Sequence, residues 1–443
     1  MRCLLLAGMW MNLLGVCAQE ADSTRWWERD LLDFSGDGAV VVVNPLMDLR
    51  LGGGSNGTVF ENNRGARFEA VIDGEWRVRG TLQERQGAAD PLTSYWAHAT
   101  SDLQAGTVAL PGWGRAKWID RTSYQPGTPL RFDASRATTT LERQVERLEF
   151  RAGLDHQHEG SGRGSTFWSR HAAPLPFMGL SHEGKKWHAG GWVGSAIGSE
   201  RGPIGATAES LYARQRVSRF GVGMHDGQSW STDVLWYRMA RVPFGSEARH
   251  VRHWGGVQGS FSRGPFSGYV GVSMDWAACF RADGSPRWMG EILNVNWHRP
   301  NSLIWAEWHR ARAGSASSIR LDGSYQLPLL HSATPLAHFW GDGVSTLSCG
   351  WSAKFFTHWS VHTQFEQVIP HRNSGNIGTE NTWSSTKVSI MTLSCSRTLS
   401  THWPIALVAQ IQYVEGHDPS LENAPYFGSI THSVGLSHKI HGR

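Results

Sequence analysis

The dominant spacing of hydrophobic positions along the chain is two. Near the C-terminus, Ile430, His432, Val434, Leu436, His438 and Ile440 share one face, and Thr431, Ser433, Gly435, Ser437 and Lys439 share the other. A mainly apolar face opposite a small, polar one is the pattern of a strand with lipid on one side and a wet lumen on the other. Leu347, Cys349, Trp351, Ala353 and Phe355 alternate with Ser348, Gly350, Ser352 and Lys354. Beyond a turn near Thr357-His358, Trp359, Val361 and Phe365 alternate with Ser360, His362, Gln364 and Glu366, which predicts a hairpin. Trp76, Val78 and Leu82 alternate with Arg77, Arg79, Thr81, Gln83 and Arg85, and the stretches Ser229 to Arg241 and Ile405 to Val414 are also strand-like. Breaks rich in glycine and polar residues, such as Ala311 to Ser318 and Arg372 to Asn381, separate the strands. Helical patterning is sparse: Ala206 to Arg216 predicts one short helix, as a plug, a periplasmic turn or a loop element. No repeat of fixed period occurs.

Two-faced alternation also fits a soluble sandwich. The N-terminus separates the two. Met1-Arg2 is a short positive opening, Cys3 to Val16 is apolar apart from Asn12, and Val16-Cys17-Ala18 is a small-residue cleavage site. This is the three-part pattern of a secretory signal peptide, expected over residues 1–18, with the barrel over 19–443. A lipidated Cys17 is the competing reading, disfavoured by Val16 before it. No run of 18 apolar residues follows, so the route into a bilayer is a closed barrel in which every backbone group pairs between strands. The expectation is an all-β, transmembrane antiparallel β-barrel of the outer membrane, surrounded by membrane lipid. The ending His441-Gly442-Arg443 lacks the terminal aromatic residue that many such barrels carry.

Composition adds two facts. The chain has 23 Trp and 51 Gly. Tryptophan at this level suits aromatic girdles at the membrane interfaces, and it also suits a carbohydrate-binding surface on a secreted protein. Charge is close to balanced, with 42 Lys+Arg against 38 Asp+Glu, and no basic patch of the nucleic-acid kind stands out. Beyond the signal, Cys279, Cys349 and Cys395 are odd in number and widely spaced, so neither a disulfide framework nor a zinc motif follows.

The densest chemistry lies in Phe150 to Arg170, FRAGLDHQHEGSGRGSTFWSR. Asp155, His156, His158 and Glu159 are candidate metal donors, and on a strand His156 and His158 would share a face. Spacing fixes no third ligand, and a polar strand end running into a glycine turn accounts for the same residues. Gly160 to Thr166 looks superficially like a phosphate loop but lacks its lysine and its βαβ context. No nucleophile-elbow motif appears, and spacing places no carboxylate pair at a catalytic separation. These motifs call for no cofactor.

Several stretches resemble the RemB/Wzi-like family of gliding and capsule-assembly barrels. Asn44 to Gly52 is similar to its opening strand, Asn63-Arg64-Gly65 with Glu84-Arg85-Gln86 to a hairpin, and Pro111 to Lys117 to a "PG-GraK" turn. Gly153 to Ser169 resembles a His- and Gly-rich segment through His156, Gly160, Gly162, Ser165 and Ser169, and Ala306 to Arg312 and Leu336-Ala337-His338 resemble later segments. The matches run in order over most of the chain. Leu154-Asp155 ahead of His156, Trp168, and Trp340 after Phe339 depart from the pattern, which bears on ligand rather than fold. The resemblance implies a barrel of about 16–18 strands, with minor helical plug or loop elements. It implies a non-enzymatic surface role in polysaccharide (capsule or exopolysaccharide) assembly or gliding, with an acidic polysaccharide and other cell-envelope proteins as partners. Arg64, Arg77, Arg79, Arg85, His156, His158 and Arg163 are the candidate lumen contacts for such a glycan. For any single arginine the structural role, a lumen residue paired with a carboxylate across the barrel, is the favoured reading. A general diffusion porin and a secreted Trp-rich carbohydrate-active or carbohydrate-binding protein are the alternatives.

Overall fold

The structure, a computed structural model, describes residues 32–438 apart from 37, 55–56, 91–92, 95–96, 98–105, 125–127, 202–211, 242–250, 276–286, 312–329, 332–333, 336–343, 356–358, 371–386, 399–404 and 418–426. The expected signal peptide lies outside the described residues, as do the breaks 312–318 and 372–381.

The period-two segments become long antiparallel strands. In order they are β1 (Leu32–Gly36), β2 (Ala39–Gly54), β3 (Gly57–Ile72), β4 (Trp76–Ala88), β5 (Thr107–Leu110), β6 (Gly114–Trp118), β7 (Arg131–Val145) and β8 (Leu148–Asp155). There follow β9 (Leu175–Glu183), β10 (Trp187–Arg201), β11 (Tyr212–His225), β12 (Trp230–Arg241), β13 (Val251–Arg263), β14 (Phe266–Asp275), β15 (Arg287–Arg299) and β16 (Ser302–Ala311). The two-residue β17 (Leu330–His331) and β18 (Thr334–Pro335) pair with each other, and β19 (Val344–Phe355), β20 (Trp359–Pro370), β21 (Lys387–Thr398), β22 (Ile405–His417) and β23 (Phe427–His438) complete the wall.

Of the 21 strands in the main sheet, β1, β5 and β6 are attachments, and the other 18 form a meander. The ring closes where β23 meets β2, from Asp48↔Ser437 to Gly54↔Thr431. This is a closed 18-stranded antiparallel barrel. The two stretches singled out as a hairpin do face each other, with Asn63↔Arg85, Arg64↔Glu84 and Gly65↔Gln83 in register. Gly65 is required there, because a Cβ would collide with the Leu82 carbonyl of the next strand. The hairpin expected around Thr357-His358 forms too, with Phe355 opposite Trp359.

The expected helix at 206–216 is not formed over its described part. Residues 212–216 belong to β11, where Gln215 and Val217 are buried and Arg214 and Arg216 are exposed. Pairing on both edges, with β10 and β12, overrides the weak helical propensity.

The two ends of the barrel differ. Connections 73–75, 146–147, 184–186, 226–229, 264–265 and 300–301 are short and lie at one end. Asp73 and Gly74 both have positive φ, the backbone of a tight hairpin turn. The long connections 89–130 and 156–174 leave the wall at the other end, where β10, β12, β14, β16, β20 and β22 also end. In outer-membrane barrels the short turns are periplasmic and the long loops extracellular.

The outward face carries an apolar band: Leu51, Leu82, Leu180, Val193, Val234, Val257, Leu293, Leu347, Met391 and Val434 are all exposed. The tryptophans divide. Trp76, Trp187, Trp230 and Trp359 each open a strand after a short connection, as an interfacial girdle requires. Trp168, Trp254 and Trp305 are instead fully buried on the inside. Leu293, 47% exposed in the middle of β15, is a strong probe of the lipid face. Leu293→Arg should cost about 2–4 kcal/mol of folding free energy in lipid, the range for a cation near the bilayer midplane, read by urea titration of folding into vesicles.

Candidate functional site

Strands β8 and β9 are the shortest of the closed wall, and the chain between them folds inward. Residues 156–174 touch the inner faces of β11 to β16. Glu159 accepts two hydrogen bonds from Arg219 of β11, at 2.9 and 3.0 Å. Glu307 of β16, only 7% exposed, accepts the backbone N–H groups of Arg163 (2.7 Å) and Gly164 (2.9 Å) and the side-chain amide of Asn294 (3.2 Å). Ser165 Oγ accepts the N–H groups of Phe167 and Trp168. These bonds are what allow an irregular backbone to sit inside the barrel at membrane depth.

Apolar packing holds the far end of the segment. Phe167, Trp168, Ala172 and Leu175 join Val217, Leu235, Tyr237, Met239 and Trp254 in one buried cluster. Trp168 meets Trp192 edge-on at 5.4 Å, Phe167 stacks on Tyr237 at 6.1 Å, and Tyr237 stacks on Trp254 at 4.8 Å. On this side the lumen is a packed core rather than a channel.

A second inward fold abuts the first. Connection 89–130 carries the β5–β6 hairpin, whose Val108, Leu110, Ala116 and Trp118 pack with Phe132 and Ala134 on the inner face of β7. Its turn donates the Gly112 N–H to the His171 carbonyl at 2.7 Å. Arg136 of β7 ties the two together. It donates to the Gly112 carbonyl (2.9 Å) and to His156 Nε2 (3.2 Å), bonds Gln83, and lies 4.2 Å from the centre of the Trp113 ring. Two motifs that resembled the family, Pro111 to Lys117 and Gly153 to Ser169, therefore meet in space.

The sequence-derived candidates are distributed unevenly. His156 and His158 do not lie on a strand, since β8 ends at Asp155. His156 donates from Nδ1 to the Ala172 carbonyl (3.0 Å) and accepts at Nε2 from Arg136, so its partners fix a neutral tautomer. Burial and the Arg136 cation push its pKa down. His158 donates to the Gly162 carbonyl at 3.2 Å. With Glu159 held by Arg219, and Asp155 accepting the His156 N–H, these donors brace the segment and do not converge on a metal.

Arg64 does not face the lumen. It pairs with Glu84 at 3.0 Å on the same face as Met47, Leu51 and Leu82, the outward one, because strand parity puts residue 64 opposite to residues 61 and 63. Arg77, Arg79 and Arg85 do face inward. Arg79 bonds Glu142 (2.6 Å), Arg85 bonds Glu61 (2.8 Å), and Arg77 lies 3.9 Å from Glu69. They form part of a cross-strand charge lattice on the wall. Arg163 is the candidate that the fold presents to the interior. Its guanidinium lies 3.6 Å from the Trp305 ring centre, on the exposed side of the inserted segment, with exposed Arg170 on the same segment. Sequence reasoning named none of Arg136, Arg219, Glu307 and Trp305 as site residues. Glu307 falls within the family-like stretch Ala306 to Arg312, and the other three carry only the parity of ordinary strands, which does not reveal what packs against them.

No family model matches the chain, and no curated protein matches it. Among solved structures, Wzi of Escherichia coli, described as an outer-membrane protein involved in group 1 capsule assembly and a carbohydrate-binding β-barrel, is similar with a TM-score of 0.56 at 12% identity, over 88% of this chain and 83% of that one. Acinetobacter baumannii OccAB2 has a TM-score of 0.48 at 11% identity, over 91% and 98%. Pseudomonas aeruginosa OccK5 has a TM-score of 0.46 at 9% identity, over 90% and 98%. The fold is thus that of a large barrel of the outer-membrane type, similar to Wzi.

Two measurements probe the inserted segment. Glu307→Ala removes the acceptor of two backbone N–H groups, each such charged bond contributing about 1.5–3 kcal/mol. Amide exchange at residues 163 and 164 should rise at least tenfold while strand amides keep their protection. His171 is held down to about 4 by burial first and then by the Arg170 cation. A histidine kept neutral in the fold supports docking above its free value of 6.5 and loses that support as pH falls toward 4. Protection factors across 156–174, corrected for the intrinsic slowing of amide exchange in acid, should therefore fall at least tenfold between pH 7.5 and pH 4.5, and His171→Gln should flatten the dependence.

Proposed function

We propose that the protein is a non-enzymatic outer-membrane barrel that holds an acidic cell-surface polysaccharide during capsule or exopolysaccharide assembly. The observation that carries this reading is the inserted segment. It enters from the long-loop end, occupies the lumen along β11 to β16, and leaves Arg163 and Arg170 exposed on its surface. A general diffusion pore gains nothing from a dry aromatic core in its lumen, whereas a binding barrel needs a rigid platform for its contacts. An arginine steadied over an aromatic ring is a pre-organised partner for carboxylate or sulfate groups. The likeness to a barrel described as carbohydrate-binding and involved in capsule assembly supports the same reading. Gliding through surface glycan would draw on the same contacts. Arg163 and Arg170 are the residues assigned to the polymer. Arg79 and Arg85 are assigned to wall structure, since each already holds a carboxylate.

The purified barrel should be retained on an immobilised polyuronate and released by salt. Arg163→Ala with Arg170→Ala should weaken retention at least fivefold, while Arg64→Ala, on the outer face, should leave it unchanged. In planar bilayers the protein should show no wide, steady conductance. A large open pore combined with no glycan retention would return the porin reading.

A further inference from the structure

A separate cluster lies on the inner wall at the short-turn end. Glu183 of β9, His188 of β10 and His225 of β11 each place one donor atom within 4.8 Å of the other two. All three side chains point inward, on adjacent strands, beside the connections 184–186 and 226–229. His225 Nε2 lies 3.0 Å from Glu183 Oε1, yet is buried and makes no aligned hydrogen bond. The two imidazole rings are 5.6 Å apart, centre to centre.

A supporting layer surrounds these donors. Asp233 of β12 bonds His188 Nε2 and steadies that ring. The other Asp233 oxygen accepts from Gln258 Nε2 at 3.1 Å, and Gln258 in turn accepts from the Tyr269 hydroxyl at 2.9 Å. A carboxylate behind a histidine, itself anchored, is the arrangement that orients metal-binding imidazoles. Gly223 sits directly opposite both His188 and Asp233 in the sheet, and a Cβ there would collide with the His188 ring and the Asp233 carboxylate. The glycine keeps the space between the two strands open for these side chains.

We propose that Glu183, His188 and His225 form a binding site for a divalent transition cation of the zinc class, with Asp233 as its orienting carboxylate. Two imidazoles and one carboxylate are the donor set of many zinc centres, and they favour zinc, nickel or copper over calcium or magnesium, which prefer all-oxygen shells. Three protein donors leave a coordination position free. His225 also lines a cleft of about 550 Å³ whose polar side chains include Ser231, Ser260, Ser267, Asn296 and His298. A cation at this site would border that cleft, where a carboxylate or hydroxyl ligand could complete its shell. The site is independent of the polysaccharide reading.

The test uses the whole barrel, purified in detergent without a histidine tag. Equilibrium dialysis against Zn²⁺ should load one zinc per chain, and excess Ca²⁺ should not displace it. His188→Ala with His225→Ala should weaken binding at least tenfold, and the milder Glu183→Gln and His225→Gln should weaken it to a lesser degree. Heat-modifiable gel mobility confirms that each variant is folded, and the Gln variants carry the test if the double variant is not. Co²⁺ in place of zinc should give visible bands that the variants lose. Zinc loading equal in wild type and folded variants, or ready displacement by Ca²⁺, would overturn the proposal.

Discussion

Closure of the sheet is the constraint on which the rest of this structure depends. A bilayer offers no partner to a backbone N–H or carbonyl, so a strand wall in lipid has no tolerable edge. The pairing of β23 with β2 removes the last edge. Once the ring is closed, each side chain is committed by parity to lipid or lumen. The exposed Leu51, Leu82 and Leu293 and the buried Gln83, Asn294 and Glu307 are two consequences of one geometry.

An 18-stranded ring encloses more space than its own side chains fill. This chain fills part of it with backbone taken from the long-loop end. The short strands β8 and β9 release residues 156–174 into the interior, and Glu159, Glu307 and the aromatic cluster around Tyr237 and Trp254 receive them. The neighbouring β5–β6 hairpin locks against that segment through Gly112, His171 and Arg136. Glu159, Glu307 and Arg136 are each engaged in directed hydrogen bonds. A buried carboxylate that receives two backbone N–H groups therefore fixes the segment's position rather than merely balancing charge.

The electrostatics of the lumen divide into two kinds. On β3, β4, β7 and β8, arginines and glutamates satisfy each other in a lattice, which stiffens the wall and leaves little attraction for an external anion. On the inserted segment, Arg163 and Arg170 are turned toward open space. At the short-turn end, Glu183, His188 and His225 gather from three adjacent strands. The inserted segment thus presents cations suited to an anionic polymer, and the wall strands at the short-turn end present donors suited to a cation.

Local sequence determined the strands, because a period of two is written residue by residue. Ile405 to Val414, Trp359 to Glu366 and the hairpin pairing Asn63-Arg64-Gly65 with Glu84-Arg85-Gln86 could be read without a fold. It also indicated that 153–169 and 111–117 were special. It could not say which face was inside: Arg64 and Arg85 both read as lumen cations, and only sheet parity turned Arg64 outward. Nor could it assign a partner to Glu307 or Arg219, which lie far along the chain from the segment they hold, or bring Glu183, His188 and His225 together. Alternation is a property of neighbours along the chain. Which strand faces which inserted loop is decided by ring closure and by the depth to which residues 156–174 descend, and both exist only once distant parts of the chain have met.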